Sequence, residues 1–135
     1  MSYSIQDIEG IGPTYGAKLK EAGISTTAKL LDRAKDKKGR KEVAAATGID
    51  ETYILKWTNM ADVMRIKGVG EEYSELLEAA GVDTVKELRN RNAANLAAKM
   101  VEVNAEKKLV RQLPSEKQVE KWVEQAKALP PMMTY

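Results

Sequence analysis

The chain has 135 residues, the size of one domain and enough for two small repeats sharing a core. It contains neither cysteine nor histidine, which excludes disulfides, thiolate or imidazole metal sites, and the Ser-His or Cys-His pairs of most familiar hydrolases. With 43% hydrophobic and 31% charged residues it reads as soluble and globular, and 22 basic against 20 acidic residues leave a net charge of +2, too balanced to announce nucleic acid or membrane by bulk electrostatics.

In chain order, Ser4 opens a short turn through Ile8, followed by a Gly10-Ile11-Gly12 bend. Pro13 stands where a first helical residue would lose nothing by lacking an N–H, and Tyr15, Leu19 and Ala22 share one face before Gly23 stops the helix. Ser25 or Thr26 caps a helix carrying Leu30 and Leu31. The Lys-rich stretch Lys35–Gly39 leads into a short Ala-rich helix ending at Gly48. Asp50 caps a longer helix whose Tyr53, Ile54, Trp57, Met60, Ala61 and Met64 recur at three- and four-residue spacing, a buried stripe.

That helix feeds a second bend, Gly68-Val69-Gly70. Tyr73, Leu76, Leu77 and Ala80 then form an apolar face ended by Gly81, and Thr84 with Glu87 makes a capping box. Asn92 caps an Ala-rich segment through Leu96, Met100 and Val103. After Pro114, Ser115 caps a last helix with Val119, Trp122, Val123 and Ala126 facing inward. Two prolines forbid helix in the tail from Leu129 to Tyr135, which is expected to be extended. No segment sustains period-two alternation, so the fold class is all-α.

The order of elements repeats. Ile8 to Tyr15 returns as Ile66 to Tyr73, a shift of 58 positions, and Leu19, Ala22-Gly23-Ile24, Thr26 and Leu30 keep that register with Leu77, Ala80-Gly81-Val82, Thr84 and Leu88. With seven further positions inserted, Asp50 to Ala61 lines up with Ser115 to Ala126, and Trp57 falls on Trp122. A tandem duplication follows, with copies at 4–61 and 62–129 and a tail at 130–135. The helix from Asp50 to Arg65, running straight into the second bend, argues for one compact unit.

A short turn, a Gly-hydrophobic-Gly bend, a helix with Tyr and Leu four apart and then Ala-Gly-hydrophobic resembles the helix-hairpin-helix motif, and both copies fit it. Over nearly its whole length, including the Lys-Trp helices and the Pro-flanked Tyr end, the chain also resembles a bacterial family of tandem helix-hairpin-helix repeats catalogued as a domain of unknown function. The resemblance implies a hairpin that grips duplex or branched DNA by its backbone without reading sequence. Glu9, Glu71 and Glu72 depart from the DNA-binding pattern, which places a basic or small polar residue just after the second glycine.

Physical chemistry gives such a bend its use. Glycines let consecutive N–H groups point outward at a helix start, where the helix dipole adds partial positive charge. The phosphate-contacting candidates are chiefly Gly10, Ile11, Gly12, Thr14 and Lys18. Lys35, Lys37, Lys38, Arg40 and Lys41 are auxiliary, drawn from a block between Arg33 and Lys41 with six basic residues against Asp36 alone. Gly68 and Gly70 are the second bend's candidates, weakened by Glu71 and Glu72, which would repel a phosphate. The competing reading makes the bends mere packing devices and the basic block a solvated loop.

Other signals are weaker. Neither Gly-X-Gly has a third glycine or a preceding strand, so a dinucleotide fold fails. Trp57 and Trp122 sit on apolar faces and read as core rather than base-stacking residues. No constellation supports catalysis, and no cofactor or metal is implied. The expectation is therefore a non-catalytic, sequence-independent DNA-binding module. The alternative is a protein-interaction or scaffold module, with a protein partner or self-association through the acidic second repeat or the Met-rich tail. The start has no basic region before an apolar one, and no apolar run nears about eighteen residues, so a cytoplasmic location without membrane contact is expected.

Overall fold

The computed structural model describes residues 3–135. Among these the chain is all-α, with eight helices and no strand; one isolated bridge joins Ser4 and Thr26. It divides into two compact units. One runs as far as Asp62 and also takes in Met132–Tyr135; the other is Val63–Pro131.

The first unit opens with a 3-10 turn, Ile5–Asp7, and continues through α1 (Pro13–Glu21), α2 (Thr27–Ala34), α3 (Lys37–Thr47) and α4 (Glu51–Val63), whose last residue belongs to the second unit. Each start has a local chemical cause. Pro13 occupies the first position of α1 behind Gly12, and Thr26 Oγ1 accepts from the Lys29 N–H at 3.2 Å. Asp36 Oδ1 accepts from the Gly39 N–H at 2.7 Å, and this cap starts α3 inside the Lys-rich stretch. The stretch expected to lie ahead of the Ala-rich helix is thus partly its first turn. Gly39 is required there, since a Cβ would collide with the Arg33 carbonyl oxygen. Ile5, Ile8, Leu19, Ile24, Leu30, Val43, Ile54 and Trp57 form the buried interior of this unit.

The second unit holds α5 (Glu71–Ala79), α6 (Val85–Leu88), α7 (Ala93–Lys107) and α8 (Glu116–Ala128). Thr84, Asn92 and Ser115 cap α6, α7 and α8 through their side-chain oxygens. Glu87 reaches back to the N–H of Asp83, one residue before the expected partner, at 3.4 Å. α7 ends on Lys108 in the left-handed region, after which Asn104 brackets Val110 with two hydrogen bonds and turns the chain toward α8. α8 packs on α7 and α6, and Trp122 enters a core shared with Leu76, Leu77, Leu88, Leu96 and Met100. Among the described residues no helix is long and apolar enough to cross a membrane.

Candidate nucleic-acid interface

Both glycine bends use the same main-chain device. Gly10 and Gly68 have φ of +95° and +96°, values an L side chain rarely adopts, and each bend closes with an N–H donating to a carbonyl three residues back, Ile11 to Ile8 and Val69 to Ile66, both at 3.1 Å. The hydrophobic residue between the glycines is driven inward, with Ile11 and Val69 buried. This corrects one expectation: the Ile11 N–H is already paired, so Ile11 anchors the bend and offers no donor to an anion. The N–H groups of Gly10, Gly12 and Thr14 have no partner among the described residues, and all three residues are exposed. They stand at the start of α1, where the helix dipole favours an anion. Lys18, one turn on, is also exposed.

A tryptophan backs each bend. A Cβ on Gly10 would lie 3.5 Å from Trp57 Nε1, and one on Gly68 would lie 3.2 Å from Trp122 Nε1. Tyr15 and Tyr73 tilt against these indoles with centroids 5.2 Å apart in both cases, and Tyr53 adds a stacked ring 5.8 Å from Trp57. Both indoles are buried, as their apolar spacing foretold.

The basic block separates into two parts. Lys37, Lys38 and Lys41 are exposed and line a shallow depression of about 520 Å³ on α3 with Glu42 and Ala45. Lysines in the first turn oppose the helix dipole, so this helix start concentrates positive potential in spite of the Asp36 cap. Arg40 does not join them. It is 3% exposed, and its guanidinium donates to the Ala34 oxygen at 3.0 Å and the Thr134 oxygen at 2.7 Å while lying 5.5 Å from the Tyr135 ring centroid. The Thr134 N–H donates to the Lys35 oxygen at 2.9 Å, so the tail covers Arg40 and removes it from the candidate surface. Lys35 is half-buried beneath the same tail contact. The bend residues and the α3 lysines do not share the depression.

The second bend is more basic than its own residues suggest. Glu71 and Glu72 follow Gly70, and Glu72 lies 3.8 Å from Arg111 Nε. Across the bend, α8 contributes Lys117 and Lys121, which with Lys67 line a cleft of about 570 Å³ also bounded by Gly68 and Trp122. Gln125 holds the bend to α8 by accepting from the Lys67 N–H at 3.0 Å and donating to the Lys67 oxygen at 3.3 Å. Lys117 and Lys121 stand about fifty residues from Gly68, so no local motif reveals them. The internal register does carry the signal. It sets Lys67 opposite Glu9, Ser115 opposite Asp50 and Lys117 opposite Thr52, a shift toward positive charge at the second bend.

The chain matches none of the curated proteins and none of the solved structures with which it was compared. Residues 9–129, reaching from the first bend to the residue after α8, match the family described as Domain of unknown function (DUF4332), and the chain belongs to that family.

Proposed function

We propose that the chain is a non-catalytic, sequence-independent DNA-binding module of the helix-hairpin-helix kind, built by tandem duplication, in which chiefly the first bend holds backbone phosphates. One observation carries this reading: Gly10, Gly12 and Thr14 expose unpaired N–H groups at the start of α1, with Lys18 one turn away. Such donors position a duplex and carry no base information. The α3 lysines supply additional phosphate contacts, and Arg40 does not take part.

Fluorescence anisotropy with duplex and branched DNA at low salt tests the proposal. Binding is expected to be micromolar, with log affinity falling against log salt at a slope of about −3, the value for three or four phosphates. Lys18→Glu weakens it about tenfold, and duplexes of different sequence bind alike. Absence of binding at low salt and high protein concentration refutes the proposal, as does strong preference for one duplex sequence.

A further inference from the structure

We propose that the cleft between the second bend and the first two turns of α8 is a binding site for a phosphate monoester dianion. The site does not depend on duplex binding and stands on different residues from the first bend.

Three exposed lysines, Lys67, Lys117 and Lys121, line one concavity, and no acidic residue lines it with them. None of the three has an ion-pair partner among the described residues. Three like charges around one concavity raise the local positive potential and favour an anion, and the concave wall focuses that potential. The Ser115 hydroxyl caps α8 by accepting from Gln118, which leaves the N–H groups of Glu116 and Lys117 without a main-chain partner among the described residues. The positive end of a 13-residue helix therefore lies at the cleft.

Trp122 is the second and independent sign. Its side chain is 99% buried by residue, with a relative exposure of 1%, yet its indole N–H has no hydrogen-bond partner among the described residues. No buried side-chain nitrogen or oxygen is left unsatisfied among them, so this N–H opens to the cleft that Trp122 lines. It emerges beside Gly68, where a Cβ would come within 3.2 Å of the nitrogen. Any side chain at that position would cover the donor. Glycine is thus needed twice, for a φ of +96° and for the open N–H.

The charge count selects the ligand. A backbone diester carries one negative charge and lies along a surface, whereas three cations and a directed N–H in a cleft of about 570 Å³ match a doubly charged terminal phosphate with three free oxygens. Gln125 fixes the Lys67 main chain from both sides, so the bend is already held before a ligand arrives.

The test uses the full chain and the indole N–H signals of its two tryptophans in proton–nitrogen correlation spectra. Inorganic phosphate is added at mildly alkaline pH and constant ionic strength. The Trp122 signal is expected to move saturably and at lower phosphate concentration than that of Trp57, which stands behind the first bend, and the combined Lys117→Gln and Lys121→Gln variant, altered only at exposed positions, weakens the Trp122 response about tenfold or more and leaves that of Trp57 unchanged. An oligothymidylate with a 5′-phosphate is compared with its 5′-hydroxyl twin. A phosphorylated strand that moves the Trp122 signal at lower concentration than both its 5′-hydroxyl twin and inorganic phosphate assigns the site to a strand end, equal binding to inorganic phosphate assigns it to a small phosphate, and a twin that binds as well as the phosphorylated strand overturns the monoester assignment. A Trp122 signal that does not saturate, that moves equally with sodium chloride, or that responds unchanged in the double variant overturns the inference. Loss of duplex binding with the Trp122 response intact would overturn the DNA-binding proposal alone.

Discussion

Replacing Gly68 by alanine, with Gly10→Ala as its control, separates two costs that usually arrive together. Both glycines share the same φ within a degree, so alanine meets the same backbone strain at each, about 1–2 kcal/mol, offset by about 0.5 kcal/mol from the lower entropy of the unfolded chain. The new methyl group meets different neighbours. At Gly10 it would lie 3.5 Å from Trp57 Nε1, an ordinary contact; at Gly68 the distance is 3.2 Å, and Trp122 is packed among Leu76, Leu77 and Met100 and cannot withdraw freely. Overpacking of this kind adds about 1 kcal/mol. The expected loss is about 1 kcal/mol for Gly10→Ala and about 2 kcal/mol for Gly68→Ala. With a urea dependence of about 1–2 kcal/mol per molar for units of this size, Gly68→Ala lowers the unfolding midpoint by about 1 M or more. The indole signals of Trp57 and Trp122 report the first and second unit respectively. Equal losses for the two variants would refute the contact argument, and a stabilised Gly68→Ala would refute the strain argument as well. Gly68→Ala is also expected to abolish the phosphate response of the Trp122 N–H under conditions where the protein is still folded.

Two further outcomes test the remaining contacts. Arg40→Ala deprives the Ala34 and Thr134 oxygens of a charged donor and removes the cation beside the Tyr135 ring, for a loss of about 2 kcal/mol; Arg40→Lys does not restore it, because one ammonium lacks the fork that spans both carbonyls. Hydrogen exchange at the Thr134 amide, bonded to the Lys35 oxygen at 2.9 Å, is the check, and unchanged protection in Arg40→Ala would remove Arg40 as the tail's anchor. Asp50 caps α4, and its carboxyl is held below the usual carboxylate value first by the Thr52 N–H and then by the Thr52 hydroxyl. A lowered folded-state value means that the cap's contribution is complete above the ordinary carboxylate value and is lost as pH falls through the folded one. An acid titration of the Asp50 carboxyl should therefore have its midpoint below that of an aspartate in a short peptide, and Asp50→Asn, which still accepts from Thr52, should remove the pH dependence of the α4 start. A midpoint at or above the peptide value contradicts the assignment.

What could be read from the residues alone was what depends on near neighbours. Thr26, Thr84, Asn92 and Ser115 cap helices because an oxygen two or three bonds from Cα meets the N–H three residues ahead, and no distant contact is needed. Gly23, Gly48 and Gly81 stop helices for an equally local reason, a positive φ. Arg40 shows where locality ends. By sequence it is one cation in a Lys-rich run; in the fold, a carbonyl 94 residues away takes its guanidinium out of solvent. The Lys67, Lys117 and Lys121 cleft escaped for the same reason, because its charge is assembled between the second bend and α8, about fifty residues on. The Ile11 N–H was misplaced by a subtler effect. Hydrophobic burial of the residue between two glycines rotates its own amide inward, so the bend exposes donors on either side of that residue but not at it.

The two bends then differ in a way that main-chain geometry does not explain. Glycines with the same φ and hydrophobic residues with the same internal bond reproduce one another across 58 positions, and the indoles with their tyrosine contact across 65. Those features answer to packing, which tolerates little change once a tryptophan stands behind a glycine. The lining charges answer to no such demand. Lys67 and Lys117 stand where the register of the first bend has Glu9 and Thr52, and neither pair is needed to fill the core, since all four residues are exposed. Three lysines lining one cleft with no carboxylate among the lining residues raise its local positive potential. A charge arrangement that packing does not require is the one that the proposed phosphate site would use. Of the two bends, the second therefore makes the stronger claim to a bound phosphate, although its own flanking residues are acidic.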